Sequence, residues 1–295
     1  MEFIKPGINI DFVGKRKIFI TISILLILAG IISLIIKGGP KYGVDFAGGT
    51  IVQIKFKKPI QIGQLRKVMG KDVSVQSFGD SGNEFLLRFA QSSADTEALS
   101  KDIKEKLIKN FGKGSYEIRR IEMVGPKIGK DLRKKGLLAV IVALIGILIY
   151  ISVRFEFRFA VGAIIALVHD VLITLGMFSI LNKEIDLTVL AAFLTLVGYS
   201  LNDTIIVYDR IRENMKKYVK GLFANIINRS INETLSRTIL TSGTTLFVVL
   251  ALFLFGGGVI HDFALALLIG IIVGTYSSIY IASPILLLLD KKKKK

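Results

Sequence analysis

The sequence predicts a polytopic α-helical membrane protein with six transmembrane helices and one ferredoxin-like α+β domain outside the lipid. Two observations lead there. Several apolar runs reach about 20 residues, the length that crosses a hydrocarbon core of ~30 Å. One long polar segment, 37–135, carries a strand and helix pattern of its own. The chain has 295 residues, 52% of them hydrophobic. A water-soluble α/β protein could match that total, but not in uninterrupted runs.

The six spans are read at 17–36, 136–153, 158–181, 187–208, 238–256 and 263–289. An even number puts both termini on one side. Lys5, Lys15, Arg16, Lys17 and the tail Lys291 to Lys295 place that side in the cytoplasm. Basic residues of the short segments gather at the N-terminus, at 154–158, at 209–237 and in the tail, leaving only Lys183 on the opposite set. The net charge of +17 therefore reads as topology, and no nucleic-acid partner is expected. The lysine tail reads equally as a membrane-surface anchor or a solvated charge run. The chain divides into a cytoplasmic N-terminus with the first helix (1–36), an extracytoplasmic domain with a basic connector (37–135), and a five-helix region with a cytoplasmic tail (136–295). Residues 209–237 are expected as a cytoplasmic loop. The absence of cysteine excludes disulfides, thiolate chemistry and Cys-based metal sites. The first apolar run has no small-residue cleavage site and is long enough to remain as a span.

Within 37–135 the order is strand, helix, strand, strand, helix, strand. Thr50–Phe56 alternates around β-branched residues, and Ile60–Met69 has helical period. Val73–Phe78 and Glu84–Phe89 flank a Gly79-Asp80-Ser81-Gly82 hairpin turn. Asp95–Phe111 is an amphipathic helix, and Tyr116–Val124 closes the unit. This is the split βαβ order. Gly125-Pro126 ends it, and Lys127–Lys135 reads as a basic segment entering the second span. No cluster of His, Ser or acidic residues suggests a catalytic centre, so a binding or mechanical role is expected.

Ionisable residues inside spans are costly and mark function first. Asp203 lies in the fourth span, with Ser200 and Tyr199 on its helix face. It reads as a proton-relay carboxylate or as a hydrogen-bond partner for a neighbouring helix. Arg237 opens the fifth span and enters from the side towards which Asp203 points, so the two are expected to pair and to part when a proton arrives. An ordinary snorkelling arginine is the alternative, which the residues alone favour. His169 and Asp170 lie about 11 residues into the third span, near the midplane; ~100° apart on the helix, they are not expected to face one partner together. They read equally as titrating groups or as a helix–helix hydrogen bond. Asn202, Ser200 and Thr241 are polar support. With two histidines in the chain, and His261 expected in a separate loop, no metal site is expected. Gly270, Gly274 and Ser278 form a small-residue stripe that permits close helix packing.

Enzyme readings fail on the residues. Tyr208-Asp209 lacks the companion Gly-x-Gly-Asp of an intramembrane aspartyl protease. Gly198-Tyr199-Ser200 lacks the second glycine of a nucleophile elbow. No Walker loop exists, so ATP is not expected as the energy source.

Four separated motifs and a following turn occur in order. Gly43-Val44-Asp45-Phe46-Ala47-Gly48-Gly49-Thr50 follows the first span, and Val124-Gly125-Pro126-Lys127-Ile128-Gly129 precedes the second. Tyr199–Glu213 reads YSLNDTIIVYDRIRE, Arg237–Thr245 reads RTILTSGTT, and Phe255-Gly256-Gly257 follows. Together they resemble the SecD/SecF protein-export family over nearly the whole chain, and the short outer segment and LND motif resemble its SecF branch. The resemblance implies a six-helix half of an RND-type (resistance–nodulation–division) bundle, completed by SecD. It implies export through SecYEG with YidC and YajC as associates, preproteins as substrates, protons as the coupling ion and no other cofactor. It implies proton transport at Asp203 and Arg237, with a further acidic group from SecD. Two other readings stand beside it: an RND-type half that moves small molecules or lipids, and an uncoupled scaffold of the translocon.

Overall fold

The computed structural model describes residues 8–70, 73–78, 82–89, 96–219 and 221–290. Lys5, the Gly79–Ser81 portion of the expected hairpin turn, Asp95 and the lysine tail lie outside the described residues.

Six helices are long and apolar enough to cross a membrane. They are α1 (Arg16–Ile36), α5 (Pro126–Arg154), α6 (Phe157–Ile180), α7 (Leu187–Lys217), α8 (Phe223–Phe255) and a last span built from α9 (Gly258–Ser277), a π turn (Ser278–Ala282) and α10 (Ser283–Leu289). Half or more of the apolar stretch of α6, α7 and the last span is buried, whereas little of α1, α5 and α8 is. The first set forms the centre of the bundle, and the second presents leucine, isoleucine and phenylalanine outward. The small-residue stripe explains the central contact. Gly270 packs on Leu196 and Gly274 on Ser200, where a Cβ would lie 2.5 Å and 3.0 Å from the facing side chain. The last span widens where Pro284 offers no N–H to the ladder. Ser283 Oγ then donates to the Ser278 carbonyl at 2.8 Å, and the Tyr208 hydroxyl donates to the Ala282 carbonyl at 3.0 Å.

Helix α1 lies parallel to α6 at a constant offset. Ser23 meets His169, Gly30 meets Gly176 backbone to backbone, and Ser33 Oγ meets Ser179 Oγ at 2.8 Å. The seven-residue steps from Ser23 to Gly30 and from His169 to Gly176 keep the seam facing its partner. Small residues are what allow the approach.

The expected loop 209–237 is almost all helix. α7 continues to Lys217 and α8 begins at Phe223. Buried Ile211, Asn214, Ile226, Ile227, Ser230, Ile231 and Thr234 recur at helical spacing. The charges between them mask the period in a hydropathy reading. Asn214 donates to Ser230 Oγ at 3.0 Å and to Glu233 at 2.8 Å, and Arg210 pairs with Glu233 at 2.8 Å. Lys127–Lys135, expected as a connector, forms the first turns of α5, which Pro126 starts at a position that needs no N–H. His261, expected in a loop, lies in the first turn of α9.

The outer domain has the expected order: β1 (Gly49–Phe56), α3 (Ile62–Met69), β2 (Val73–Ser77), β3 (Glu84–Phe89), α4 (Thr96–Phe111) and β4 (Tyr116–Val124). The sheet is antiparallel in the order β2-β3-β1-β4, the split βαβ arrangement. Val52, Ile54, Phe56, Leu65, Phe85, Leu87, Ile103 and Leu107 fill the space between sheet and helices.

The Gly43–Thr50 motif is the joint between this domain and the bundle. Val44–Ala47 forms a short helix, α2. The Gly43 N–H donates to the Ile185 carbonyl at 2.8 Å, and the Ile185 N–H to the Lys41 carbonyl at 2.8 Å. Asp45 Oδ2 accepts from the Leu187 N–H at 3.0 Å, at the start of α7. Phe46 is buried among Phe178, Val189 and Phe193. Gly48 and Gly49 have φ of +81° and +136°, and a Cβ on Gly49 would lie 2.4 Å from the Phe89 carbonyl oxygen. Glu184, between α6 and α7, pairs with Lys41 at 3.1 Å and with Arg88 of β3. Gly125 and Pro126 turn β4 into α5 beside Gly48.

Asp186 caps α7, its Oδ1 accepting from the Val189 N–H at 2.8 Å. Burial pushes this carboxyl above the usual carboxylate range, against the pull of the Val189 N–H. A raised folded value means its contribution to stability is full at low pH and is lost as pH rises through that value. Asp186→Asn keeps the cap and removes the buried charge, so its melting temperature at pH 7 should equal or exceed that of the wild type. Asp186→Ala should lose about 1 kcal/mol. Equal losses in both variants, measured by thermal melting of the full chain in detergent, would contradict this.

Candidate functional site

The bundle centre holds two buried carboxylates. In a low-dielectric interior each oxygen needs a hydrogen-bond partner, and neighbouring helices supply hydroxyls.

Asp170 of α6 is 1% exposed. Its Oδ1 lies 2.8 Å from His169 Nδ1. Its Oδ2 accepts from Ser200 Oγ of α7 at 2.5 Å and from Ser277 Oγ of α9 at 2.8 Å. His169 Nε2 lies 2.9 Å from Ser23 Oγ of α1, and Ser23 Oγ lies 3.0 Å from the Tyr276 hydroxyl of α9. Tyr276 donates onward to the Phe19 carbonyl, and its ring stacks against His169. The pair therefore ties together α1, α6, α7 and α9. As their ~100° separation requires, the two residues face different helices, His169 towards α1 and Asp170 towards α7 and α9; the bond between their own side chains was not expected.

Asp203 of α7 is also 1% exposed. Its Oδ2 accepts from Ser242 Oγ of α8 at 3.1 Å, and Ser242 Oγ in turn accepts from Thr275 Oγ1 of α9 at 2.7 Å. Its Oδ1 is buried with no hydrogen-bond partner among the described residues, and so is Thr238 Oγ1 of α8. Thr238 and Ser242 are one turn apart and share a face. One carboxyl oxygen is thus bonded and the other free.

The expected Asp203–Arg237 ion pair is absent among the described residues, and Arg237 is exposed. The reason is angular. Arg237 lies five residues before Ser242, about 140° around the helix and ~7.5 Å along it. Ser200 supports Asp170 rather than Asp203. Asn202 is exposed on the outer face of α7. The Thr241 hydroxyl bonds its own helix at the Arg237 carbonyl, 3.0 Å away, while its carbonyl accepts from the Tyr199 hydroxyl at 3.2 Å. Sequence reasoning missed Ser23, Thr238, Ser242, Thr275, Tyr276 and Ser277. The signals were the one-turn spacing of Thr238 and Ser242 and the seven-residue step from Ser23 to Gly30.

Removing the Asp170 carboxyl strands the Ser200 and Ser277 hydroxyls and the His169 Nδ1 at once. Asp170→Ala should lower stability by about 1 kcal/mol, at ~0.6 kcal/mol for each of the two interhelical hydrogen bonds. Asp170→Asn keeps an acceptor for the serines and should lose less than half of that. Equal melting temperatures for Asp170→Ala and wild type would sink the assignment of Asp170 as the four-helix tie.

The family model described as "Protein export membrane protein SecD/SecF, C-terminal" matches residues 103–292, and the "SecD/SecF GG Motif" model matches 32–60. The chain is 49% identical over 302 residues to a protein translocase subunit SecF of Calditerrivibrio nitroreducens, covering 100% of this chain and 99% of the relative. It is 48% identical to the SecF of Magnetococcus marinus, covering 98% and 95%. The solved structure of SecDF from Thermus, described as a translocon-associated membrane protein, superposes with a TM-score of 0.85 at 38% identity, over 97% of this chain and 39% of that one. A second SecDF structure, in a super-membrane-facing form, gives 0.74 at 37% identity, over 100% and 40%. This chain thus spans about two-fifths of the SecDF polypeptides. The bundle, the outer ferredoxin-like domain and the matched motifs together show that the chain belongs to the SecD/SecF family of protein-export membrane proteins, in its SecF branch.

Proposed function

We propose that this chain works with SecD as the SecF subunit of a SecDF complex, binding protons at Asp203 and converting their passage into movement of the outer domain that draws preproteins through SecYEG. The observation that carries the reading is Asp203 itself: a carboxyl buried where three helices meet, with one oxygen held by Ser242 and the other unpartnered. Ionisable groups are kept inside membranes chiefly as parts of pathways. Arg237, exposed beside this seam, faces outward, where a partner's acidic group would meet it. The proposed setting is the bacterial inner membrane, with both termini cytoplasmic, residues 37–135 extracytoplasmic, and YidC and YajC as associates. The chain is a motor subunit and forms no chemical product.

The joint gives the route by which a proton could move the domain. α7 carries both Ser200 and Asp203, and its first turn is bonded to Asp45 and flanked by Glu184, which holds Lys41 and Arg88. A shift of α7 along its axis therefore bears directly on α2 and β3.

The rival transporter reading expects a broad apolar pocket within the outer domain. An apolar cavity of about 240 Å³ lies between α5 and α6–α7, lined by Phe46, Leu137, Val171, Leu190 and Phe193. The scaffold reading gives Asp170 a task as a tie between helices but leaves the unpartnered oxygen of Asp203 without one. In vivo export and proton flux separate these readings. Asp203→Asn and Arg237→Met should each assemble with SecD and lose at least tenfold in both measures. Wild-type export and flux in both variants would remove these residues from the mechanism; assembly loss that accounts for all export loss would favour the scaffold.

A further inference from the structure

The hydrogen-bond chain through His169 fixes how many protons it must hold. Four links run in series: Asp170 Oδ1 to His169 Nδ1, His169 Nε2 to Ser23 Oγ, Ser23 Oγ to the Tyr276 hydroxyl, and Tyr276 to the Phe19 carbonyl. Each link needs one hydrogen. Ser23 and Tyr276 bring one each, and Ser200 and Ser277 spend theirs on Asp170 Oδ2. The remaining two must come from the His169–Asp170 pair. Two arrangements supply them: a neutral imidazole with its proton on Nε2 beside a protonated Asp170, or an imidazolium beside a carboxylate. Both leave the pair with zero net charge, the state a membrane interior favours. Both place a proton on Nε2.

A pair with one proton fewer behaves differently. The remaining proton sits on Nδ1, facing the carboxylate. Three hydrogens then serve four links, and one of the three that end on α1 opens: His169 to Ser23, Ser23 to Tyr276, or Tyr276 to the Phe19 carbonyl. Ser23 and Gly30 are the buried residues of α1. The pair also gains a net negative charge. No Lys or Arg bonds either member among the described residues. Of the titratable groups on the packed elements, Tyr276 joins the chain and packs on Tyr280 in the last span, and Asp203 and Tyr199 flank Ser200 on α7; the charged groups of α1, α7 and α9 otherwise lie towards the helix ends.

We infer that His169 and Asp170 form a second protonation site, holding two protons when α1 is seated, and that loss of one proton loosens α1 from the bundle. α1 leads directly into Lys41, Gly43 and the joint at α2, so this clamp acts on the outer domain by a path separate from α7. The inference stands on the hydrogen count and does not require protons to pass Asp203.

The test uses the full-length chain in lipid bilayers, labelled with ¹⁵N-histidine in a His261→Gln background so that His169 is the sole reporter. Near neutral pH, Nε2 should carry a proton. As pH rises it should lose that proton, and amide exchange around Ser23 should quicken about fivefold, the equivalent of one hydrogen bond. In Asp170→Asn the amide supplies the second hydrogen, so the Nε2 proton and the slow exchange should both persist as pH rises. An Nε2 without a proton at neutral pH overturns the inference, and so does α1 exchange that ignores the histidine titration. Adding Asp203→Asn separates the two sites. A histidine titration unchanged while proton flux falls supports the clamp as independent, and a titration abolished by that change overturns it. Flux unchanged with the titration intact refutes the relay at Asp203 and leaves the clamp standing.

Discussion

The bundle is organised by the need to keep two carboxyl groups hydrogen-bonded away from water. An isolated charge there would cost several kcal/mol. The fold offsets that cost with hydroxyls rather than with cations: Ser200 and Ser277 at Asp170, Ser242 backed by Thr275 at Asp203. Hydroxyls solvate a carboxyl without fixing its charge, whereas an arginine in contact would hold it ionised. A site required to gain and lose protons benefits from that choice. The glycines follow from it, because Gly270 and Gly274 let α9 approach α7 closely enough for a serine to reach across.

The two carboxyls share scaffolding. Ser200 and Asp203 are one turn apart on α7, and Thr275 and Ser277 are neighbours on α9. A change of packing at one carboxyl is therefore felt by helices that hold the other. The outputs diverge: α7 begins at Asp45 and Asp186, and α1 ends before Lys41. Both meet the outer domain at α2, where Gly48 and Gly49 take a backbone path that β-branched side chains would block.

Much of this was legible in the residues. The outer domain's strands and helices fall close to where alternation and turn signals put them, because a small sheet with one buried face leaves period-2 strands and amphipathic helices. The six spans follow from apolar length. The extension of α7 and α8 past the lipid was hidden, since charged residues such as Arg210 and Glu233 interrupt the apolar count while pairing along helix faces. Asp170 and Asp203 stand out as charges in apolar runs. Their partners do not, because serine and threonine are common in spans and only three-dimensional packing selects the few that point inward. Arg237 shows the opposite error: its entry into the fifth span from the side towards which Asp203 points suggested contact, and helical phase turned it outward, as an ordinary arginine at a helix end would lie.

The central claim is that the buried carboxyl at 203 exchanges its proton while the complex is folded in the membrane. Infrared difference spectroscopy of the chain assembled with SecD in lipid, recorded as a function of pH, measures this directly. The account predicts a protonated-carboxyl band that titrates across the pH range spanning the two sides of the membrane and disappears in Asp203→Asn. A carboxyl at 203 that stays wholly ionised, or wholly protonated, throughout that range would contradict it.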